Sequence, residues 1–482
     1  MLAHAVFGGL LLAVACHSAG LPASSSGGGK GPARNPGYVR MPVARHQFNG
    51  TGKSSRGWHW SSPPGATGFP PPPQPSRRPW STFQPGASST QPASSGHPPG
   101  PSPSVPSHRP RRDAQVQATN RWGWSSLEEL GGIAYTIQLD IGTPPQTVKV
   151  FIDTGSYELW VNPRCDTSAS ATLCEAQGTY YPDKSSSSMF VGGEFDVSYG
   201  TGSVEGYYWS DVLSIAMFQI PQVQFAVAND SNYAFAGILG LGYAYPYSIN
   251  YPSVLNLMVS EGLISAPIFS LGLGGDQDNF SEIIFGGVNT WKFSGPLVPV
   301  PIWPPISQQD PRWIQYWVNV TSVGMTKPGE HPVIYTPSDA FDMPMLLDTG
   351  STLSYLREDL VAVIGQQFDA TVDNAGNYLV DCAYRDQDGT VDFGFDSGRM
   401  VINVPYKDFI YQQYPGHCLL GVQPADAGST NYVLGDTFIR GAYLVFDQQS
   451  DTIWMNQYYN CGDGVATVGL SKGDTGRIVG AC

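Results

Sequence analysis

The feature that most constrains the fold is an internal repeat. An Asp-Thr-Gly-Ser motif behind two apolar residues occurs twice, and an apolar-apolar-Gly motif follows each copy. The copies are Phe151–Ser156 with Gly237–Gly240, and Leu346–Ser351 with Tyr432–Gly435. The interval from the aspartate to the last glycine is 87 residues in both halves. A repeat of this length predicts two similar lobes of about 180 residues each within one chain.

The residue types in the motif suit one kind of chemistry. Each triplet, Asp153-Thr154-Gly155 or Asp348-Thr349-Gly350, follows an apolar run that predicts a buried strand. The aspartate then lies where the strand ends. The threonine can hydrogen-bond inward to fix the turn, and the glycine N–H can reach the carboxylate. A single triplet of this kind is also typical of an ordinary turn, but the matched pair favours a site.

Two such loops meeting at a pseudo-twofold axis would place Asp153 and Asp348 side by side. Two adjacent carboxyl groups cannot both ionise easily, so the pair holds one proton over an acidic pH range. The ionised partner can act as general base on a water molecule, and the protonated partner can polarise a carbonyl and protonate a leaving amine. The motif therefore predicts peptide hydrolysis that needs no metal, no cofactor and no covalent intermediate.

The charge of the chain divides sharply near residue 112. Residues 1–112 carry 11 Lys and Arg and no Asp or Glu, whereas residues 113–482 hold the other 14 basic residues and all 39 acidic ones, a net charge of −25. Such an acidic body disfavours nucleic acid or an anionic membrane as a partner. The body contains only two histidines, His331 and His417, and neither belongs to a cluster with metal-ligand spacing. We therefore expect no metal site.

The basic leader has two parts. The 11-residue apolar run Ala5–Ala15 predicts a signal peptide over residues 1–19. Residues 20–112 are rich in Pro, Ser and Gly and predict a disordered propeptide that ends at Arg111-Arg112, which resembles a multibasic processing site. A permanent disordered arm, anchoring a wall-associated protein, is the alternative. No other stretch is long and apolar enough to predict a transmembrane segment.

The cysteines and glycosylation motifs fit an exported protein, either extracellular or in a vacuole-like acidic compartment. Beyond Cys16, six cysteines remain, and oxidation would allow 15 pairings, of which sequence neighbourhood suggests Cys165–Cys174, Cys382–Cys418 and Cys461–Cys482. Acceptor motifs for N-glycosylation occur at Asn49, Asn229, Asn279 and Asn319.

From Trp122 onward, short runs rich in Val, Ile, Tyr and Phe alternate with turn residues, which predicts a mainly β body. Helices are predicted only at Ser253–Glu261 and Glu358–Phe368.

The motifs resemble those of pepsin-like aspartic proteases over roughly residues 135–459. The two signature motifs match Asp153–Ser156 and Asp348–Thr352, and further matching segments are Ile141–Gln146, Leu159–Val161, Tyr199–Ser203, Gly237–Gly242 and Val433–Asp436. The resemblance implies a bilobal acid-protease fold, with lobes at residues 113–291 and 292–482. It also implies a secreted, acid-active endopeptidase that acts as a monomer on extended peptides.

The resemblance also implies roles for single residues. Ser156 and Ser351 would support the two carboxylates. Tyr199, Gly200 and Thr201 would form a mobile flap over the cleft, with Trp160 bonded to the tyrosine hydroxyl. The pairings Cys165–Cys174 and Cys382–Cys418 fit the family, and Cys461 and Cys482 lie in an extension beyond the pepsin-like core. The propeptide does not resemble the compact pepsin prosegment, and it is the contrast between the basic leader and the acidic body that predicts an intramolecular inhibitor.

Three positions depart from the family's common pattern: Tyr157, Glu158 and Ala236. They leave the paired aspartates intact, but they leave the subsite preference, apolar or basic, open. A catalytically silent pepsin-fold protein that binds a partner or inhibits another enzyme is the alternative function. Such proteins usually have a damaged pair of aspartates, whereas both triplets are intact in this chain.

Overall fold

The two halves of the chain are built mainly from β-strands. The computed structural model describes residues 122–129, 132, 134–168, 170–199, 202–244, 248–275, 281–303, 314–336, 341–374, 376–427, 429–462, 467–470 and 473–482. All of these residues belong to one compact unit. The predicted signal peptide, the propeptide and the processing site at Arg111-Arg112 lie outside the described residues.

The first half contains the strands that carry the first Asp-Thr-Gly motif. They are β1 (Gly123–Glu129), β2 (Tyr135–Ile141), β3 (Gln146–Asp153), β4 (Leu159–Val161), β5 (Met189–Ser198), β6 (Ser203–Ile215), β7 (Phe218–Asn232), β8 (Gly237–Gly240), β9 (Ile268–Gly272), β10 (Ser281–Phe285) and β11 (Gly287–Asn289).

The second half contains the strands that carry the second motif. They are β12 (Ser294–Pro296), β13 (Val298–Pro301), β14 (Trp317–Thr326), β15 (Val333–Ile334), β16 (Met343–Leu347), β17 (Ser354–Leu356), β18 (Thr371–Val372), β19 (Tyr378–Val380), β20 (Thr390–Phe395), β21 (Met400–Pro405), β22 (Tyr411–Tyr414), β23 (His417–Leu419), β24 (Val422–Pro424), β25 (Tyr432–Leu434), β26 (Ala442–Asp447), β27 (Thr452–Gln457), β28 (Thr467–Gly469) and β29 (Val479–Ala481).

Helices are short within the described residues. The α-helices are α1 (Ala171–Glu175), α2 (Val254–Ser260), α3 (Glu358–Gln367), α4 (Tyr406–Phe409) and α5 (Asp436–Ile439). Single 3₁₀ turns lie at Pro182–Lys184, Thr290–Lys292, Cys382–Asp386, Asp396–Gly398 and Thr475–Arg477. The two helices expected from sequence are therefore confirmed as α2 and α3. Ser253 caps the N-terminus of α2, since its hydroxyl accepts a hydrogen bond from the Asn256 N–H.

The two motifs occupy equivalent places in equivalent strands. Strand β3 pairs in parallel with β8, with Ile152 opposite Leu239. Strand β16 pairs in parallel with β25, with Leu347 opposite Leu434. Leu347 and Leu434 each lie 195 positions after their counterparts, Ile152 and Leu239. The repeat seen in the sequence is thus a repeat of structure, and the prediction of a mainly β, bilobal pepsin-like fold is confirmed.

A sheet shared by both halves joins the lobes. The largest sheet has thirteen strands in the order β13, β27, β26, β9, β10, β1, β2, β3, β8, β4, β7, β6 and β5. Its first three strands come from the second half, and β26 pairs with β9 of the first, with Phe446 opposite Phe269. The rings of these two residues stack at 4.7 Å. Burial of such apolar surface between the halves stabilises them as one body.

The segment after β27 folds back onto the connection between the halves. Strand β28 pairs with β11, and β29 pairs with β12. The disulfide Cys461–Cys482 closes this extension. Leu470 is fully buried against Val288 and Phe293, so the extension covers apolar surface behind the central sheet. Among the described residues, none forms a helix with the length and apolar character to cross a bilayer.

Candidate active site

Asp153 is the last residue of β3, and the turn that follows holds its carboxylate. The Gly155 N–H donates to Oδ1 at 2.8 Å, and the Ser156 hydroxyl donates to Oδ2. The Leu241 N–H donates to the backbone carbonyl of Asp153 at 2.8 Å and ties the turn to the segment after β8. The carboxylate is only 1% exposed.

Asp348 follows β16 in the same arrangement. The Gly350 N–H donates to its Oδ1 at 2.8 Å, and the Ser351 hydroxyl donates to its Oδ2 at 2.9 Å. Its own N–H donates to the Leu434 carbonyl at 3.1 Å. Like Asp153, it is 1% exposed.

The threonines of the two motifs bond across to the opposite motif. Thr154 donates through Oγ1 to the Leu347 carbonyl at 2.8 Å and accepts from the Thr349 N–H at 3.0 Å. Thr349 donates through Oγ1 to the Ile152 carbonyl at 2.9 Å and accepts from the Thr154 N–H at 3.1 Å. Each threonine hydroxyl thus bonds inward, and its partners belong to the opposite loop.

The glycines of the triplets allow the two carboxylates to meet. A Cβ atom on Gly155 would lie 2.6 Å from Oδ1 of Asp348, and one on Gly350 would lie 2.7 Å from Oδ1 of Asp153. Real side chains do not approach so closely, and hence glycine is required at both positions. Each aspartate thus packs against the backbone of the opposite loop.

The two carboxyl groups are close enough for each to change the acidity of the other. Burial raises the pKa of Asp153, the charge of Asp348 raises it further, and the bonds from Ser156 and Gly155 lower it. Burial also raises the pKa of Asp348, while its hydrogen bonds oppose that shift. The pair therefore retains one proton at a pH where isolated aspartates would both be ionised.

Tyr199 stands at the end of β5, where its N–H donates to the Gly202 carbonyl at 2.7 Å and closes a tight turn. The Trp160 Nε1–H donates to the Tyr199 hydroxyl at 2.7 Å. Burial and the charge of Asp153 raise the pKa of Tyr199, so its hydroxyl stays protonated. The contact between Trp160 and the Tyr199 hydroxyl is the one that the resemblance implied. Gly200 and Thr201 lie outside the described residues.

Comparison with known proteins agrees with this geometry. A model of the eukaryotic aspartyl protease family matches residues 134–458. The chain belongs to the eukaryotic aspartyl protease family. It is an aspartic-type endopeptidase, the class named for its relatives below.

Several fungal relatives match about two thirds of the chain. The probable aspartic-type endopeptidase opsB of Aspergillus fumigatus is 31% identical over 66% of this chain and 67% of its own length. The aspartic proteinase yapsin-3 of Saccharomyces cerevisiae is 32% identical over 67% of this chain and 66% of its own length. Candidapepsin-3 of Candida albicans is 32% identical over 67% of this chain and 79% of its own length.

Two residues of the aspartyl protease, Gln315 and Glu158, make polar contacts that the sequence did not suggest. The Gln315 amide donates to the Gly155 carbonyl at 3.0 Å, from the segment before β14. Glu158 accepts hydrogen bonds from two tyrosine hydroxyls, those of Tyr208 and Tyr251. The sequence singled out Glu158 because it departs from the family's common pattern. Its partners lie 50 and 93 residues away and follow no motif, so they could not be predicted.

The remaining site predictions divide between described and undescribed residues. The disulfides are Cys165–Cys174, Cys382–Cys418 and Cys461–Cys482, the pairs suggested by neighbourhood. Of the glycosylation candidates, Asn229 is exposed, and Asn49 and Asn279 lie outside the described residues. Asn319 is half-buried and donates to Asp342 at 3.2 Å. No group of three or more metal-ligating side chains occurs within the described part of the chain.

Replacing one cross-lobe threonine tests the lock between the motifs. We expect Thr154→Val to lower the free energy of unfolding by about 1–3 kcal/mol, because the buried Leu347 carbonyl and Thr349 N–H lose their partner. Urea unfolding of the purified protein measures this. Thr154→Ser keeps the hydroxyl and is the matched control. A valine variant as stable as the serine variant would contradict the assigned hydrogen bonds.

The buried acids predict that stability falls as pH rises. Folding raises the pKa of Asp153, Asp348 and Asp436, so the folded state binds more protons than the unfolded chain. This stabilisation is complete below the unfolded pKa of about 4 and is lost progressively toward neutrality. We expect unfolding midpoints to decrease between pH 4 and 7, and to decrease less steeply in Asp348→Asn. Midpoints that increase over this range would be inconsistent with the buried pair.

Proposed function

We propose that this endopeptidase hydrolyses peptide bonds at acidic pH by activating a water molecule between Asp153 and Asp348. One observation carries the proposal. The two carboxyl groups are buried side by side, and each is held by a glycine N–H and a serine hydroxyl of its own loop. Groups fixed in this way need little rearrangement during reaction.

The shared proton gives the pair both functions that hydrolysis requires. The ionised carboxylate takes a proton from the water, and the resulting oxygen nucleophile attacks the scissile carbonyl carbon. The protonated carboxyl donates its proton to the carbonyl oxygen, which yields a neutral tetrahedral diol. The protonated carboxyl group then donates to the amide nitrogen while the ionised one takes a proton from a diol hydroxyl, so the C–N bond breaks and leaves an acid and an amine. The pair returns to one proton, and no metal or covalent step is needed.

Tyr199 is proposed to cover the reacting carbonyl. Its turn lies at the tip of the β5–β6 hairpin, and its hydroxyl is fixed by Trp160 at 2.7 Å. A flap in this position excludes water from the carboxyl pair and strengthens every electrostatic contact beneath it. Ser156 and Ser351 are proposed as positioning residues for the two carboxylates.

The substrates are proposed to be extended peptide or protein segments bound as strands. The endopeptidase names of the relatives support this class. A strand-like substrate can be gripped by backbone hydrogen bonds, with side chains in separate pockets. Because both motifs lie in one chain, a complete carboxyl pair needs only a monomer.

The protein is proposed to be secreted, with an acidic vacuole-like compartment as the alternative destination. The apolar run Ala5–Ala15 and the three disulfides support an oxidising, exported context. One Candida albicans relative bears the name secreted aspartic protease 3. The lobes are proposed at residues 113–291 and 292–482, and the exposed Asn229 is the favoured glycan site.

The basic leader is proposed as an inhibitory propeptide. Residues 1–112 hold 11 basic side chains and no acidic ones, opposite a body of net charge −25. Attraction between them weakens as acid protonates the carboxylates. Cleavage after Arg111-Arg112 would make release irreversible.

Substitution of either aspartate tests the mechanism. We expect Asp153→Asn and Asp348→Asn each to lower kcat/KM by about a thousandfold or more, because the variant pair lacks either the base or the acid. Peptide hydrolysis by the purified protein after acid incubation measures this, and pepstatin should block the wild-type rate. The exposed Asp388→Asn is the matched control. Undiminished cleavage by Asp348→Asn would remove that residue from the mechanism.

A further inference from the structure

Glu158 lies on the same face of the chain as two residues of the site. The Ser156 and Glu158 carbonyls accept from the Gly242 and Gly240 N–H groups at 2.8 and 2.9 Å, as in an extended segment. In extended chain, alternate side chains share a face. Ser156 reaches the carboxylate of Asp153 on this face, and the next alternate residue, Trp160, reaches the flap. Glu158 therefore shares this face with the residues that hold Asp153 and Tyr199.

Two tyrosines form a wall around the Glu158 carboxyl group. Its Oε1 accepts from the Tyr208 hydroxyl at 2.8 Å and from the Tyr251 hydroxyl at 2.7 Å. Tyr208 belongs to β6, which runs back from the flap, and Tyr251 lies before α2. The two rings pack edge to face at 5.7 Å. We call these three residues the tyrosine–glutamate pocket.

The carboxyl group lacks a positive partner. No Lys or Arg pairs with Glu158 within the described part of the chain, and its Oε2 accepts no hydrogen bond there. Glu158 is half-buried, and a partly desolvated carboxylate gains from pairing with a cation. The pocket thus presents an unpaired negative charge that can bind an ammonium or guanidinium group, and it is close enough to the proposed flap for the charge of Glu158 to raise the pKa of Tyr199.

We propose that the tyrosine–glutamate pocket is a subsite for a cationic side chain, lysine or arginine, of the peptide substrate. The inference rests on the proposed function, since it names a side chain that the same cleft accepts. Glu158 supplies the negative charge, and the hydroxyls of Tyr208 and Tyr251 hold its carboxyl group in place.

The subsite should respond to pH. Burial raises the pKa of Glu158, and the bonds from Tyr251 and Tyr208 lower it in part. The other titratable groups around it are Tyr157 and Tyr199, and all four tyrosines have a pKa raised above the ordinary value. Only Glu158 therefore changes charge in this pocket between acidic and neutral pH. Preference for a cation increases as pH rises and the carboxyl group ionises.

Paired peptides test the proposal. Each pair differs at one position, lysine against norleucine, and the position is moved through four places on either side of the cut. The measured quantity is the ratio of kcat/KM for the two peptides at pH 3.5, 5 and 6.5. We expect one position at which wild type favours lysine by a ratio that rises about tenfold over this range.

Three variants assign the effect. Glu158→Gln keeps an oxygen for both tyrosine hydroxyls but removes the charge, so the ratio should become low and independent of pH. Tyr251→Phe removes a bond that lowers the pKa of Glu158, so the rise in the ratio should move to higher pH. Glu175→Gln removes one exposed charge elsewhere and should keep the wild-type ratio.

The outcomes separate the subsite from the proteolytic function. Failure of wild type to cleave the norleucine peptides at any pH would count against the proposed function itself. Cleavage with the same ratio in wild type and Glu158→Gln at every position would overturn the subsite. If Glu158→Gln lowers kcat/KM equally for the lysine and norleucine peptides, the ratio is also unchanged, and the carboxyl group would then be purely structural. A Tyr251→Phe curve that stays in place would contradict the proposed pocket.

Discussion

The arrangement of the site depends on four hydrogen bonds that cross between the two Asp-Thr-Gly loops. Each threonine accepts from the other threonine's N–H and donates to the carbonyl before the other aspartate. These atoms are buried, so breaking one bond would leave a partner unsatisfied at a cost of about 1–3 kcal/mol. The lobes are thereby locked where the carboxyl groups face each other, and neither loop can shift alone.

These cross-loop hydrogen bonds hold two carboxyl groups side by side, although their charges repel each other when both are ionised. Burial and mutual repulsion oppose ionisation of Asp153 and Asp348, and the glycine and serine donors oppose protonation. The balance leaves one proton on the pair. In the proposed mechanism, the same conflict that makes the site costly to fold at neutral pH supplies an acid and a base at one point, so the proposed acid activity and the expected acid stability have a common origin.

The repeat made the site predictable, because the two loops are local structures with the same sequence. Asp153 and Asp348 with their glycines could be assigned on that basis, whereas the roles of Ser156 and Ser351 came from the resemblance to pepsin-like proteases. The resemblance to pepsin-like proteases supplied the Trp160–Tyr199 contact. The central sheet could not be predicted, since β9 and β26 pair across 171 residues or more without a shared motif. Glu158 was noticed as unusual, but its tyrosine partners come from distant segments.

The proposed mechanism depends on one proton shared by two carboxyl groups. The pH dependence of kcat/KM for a peptide without ionisable side chains, measured from pH 2 to 8, tests this. We expect a bell-shaped profile whose two limbs both lie in the acidic to neutral range, with activity lost at low pH as both groups protonate and at high pH as both ionise. A rate that rises through neutrality to a plateau would contradict it, because a single base of ordinary kind would then suffice.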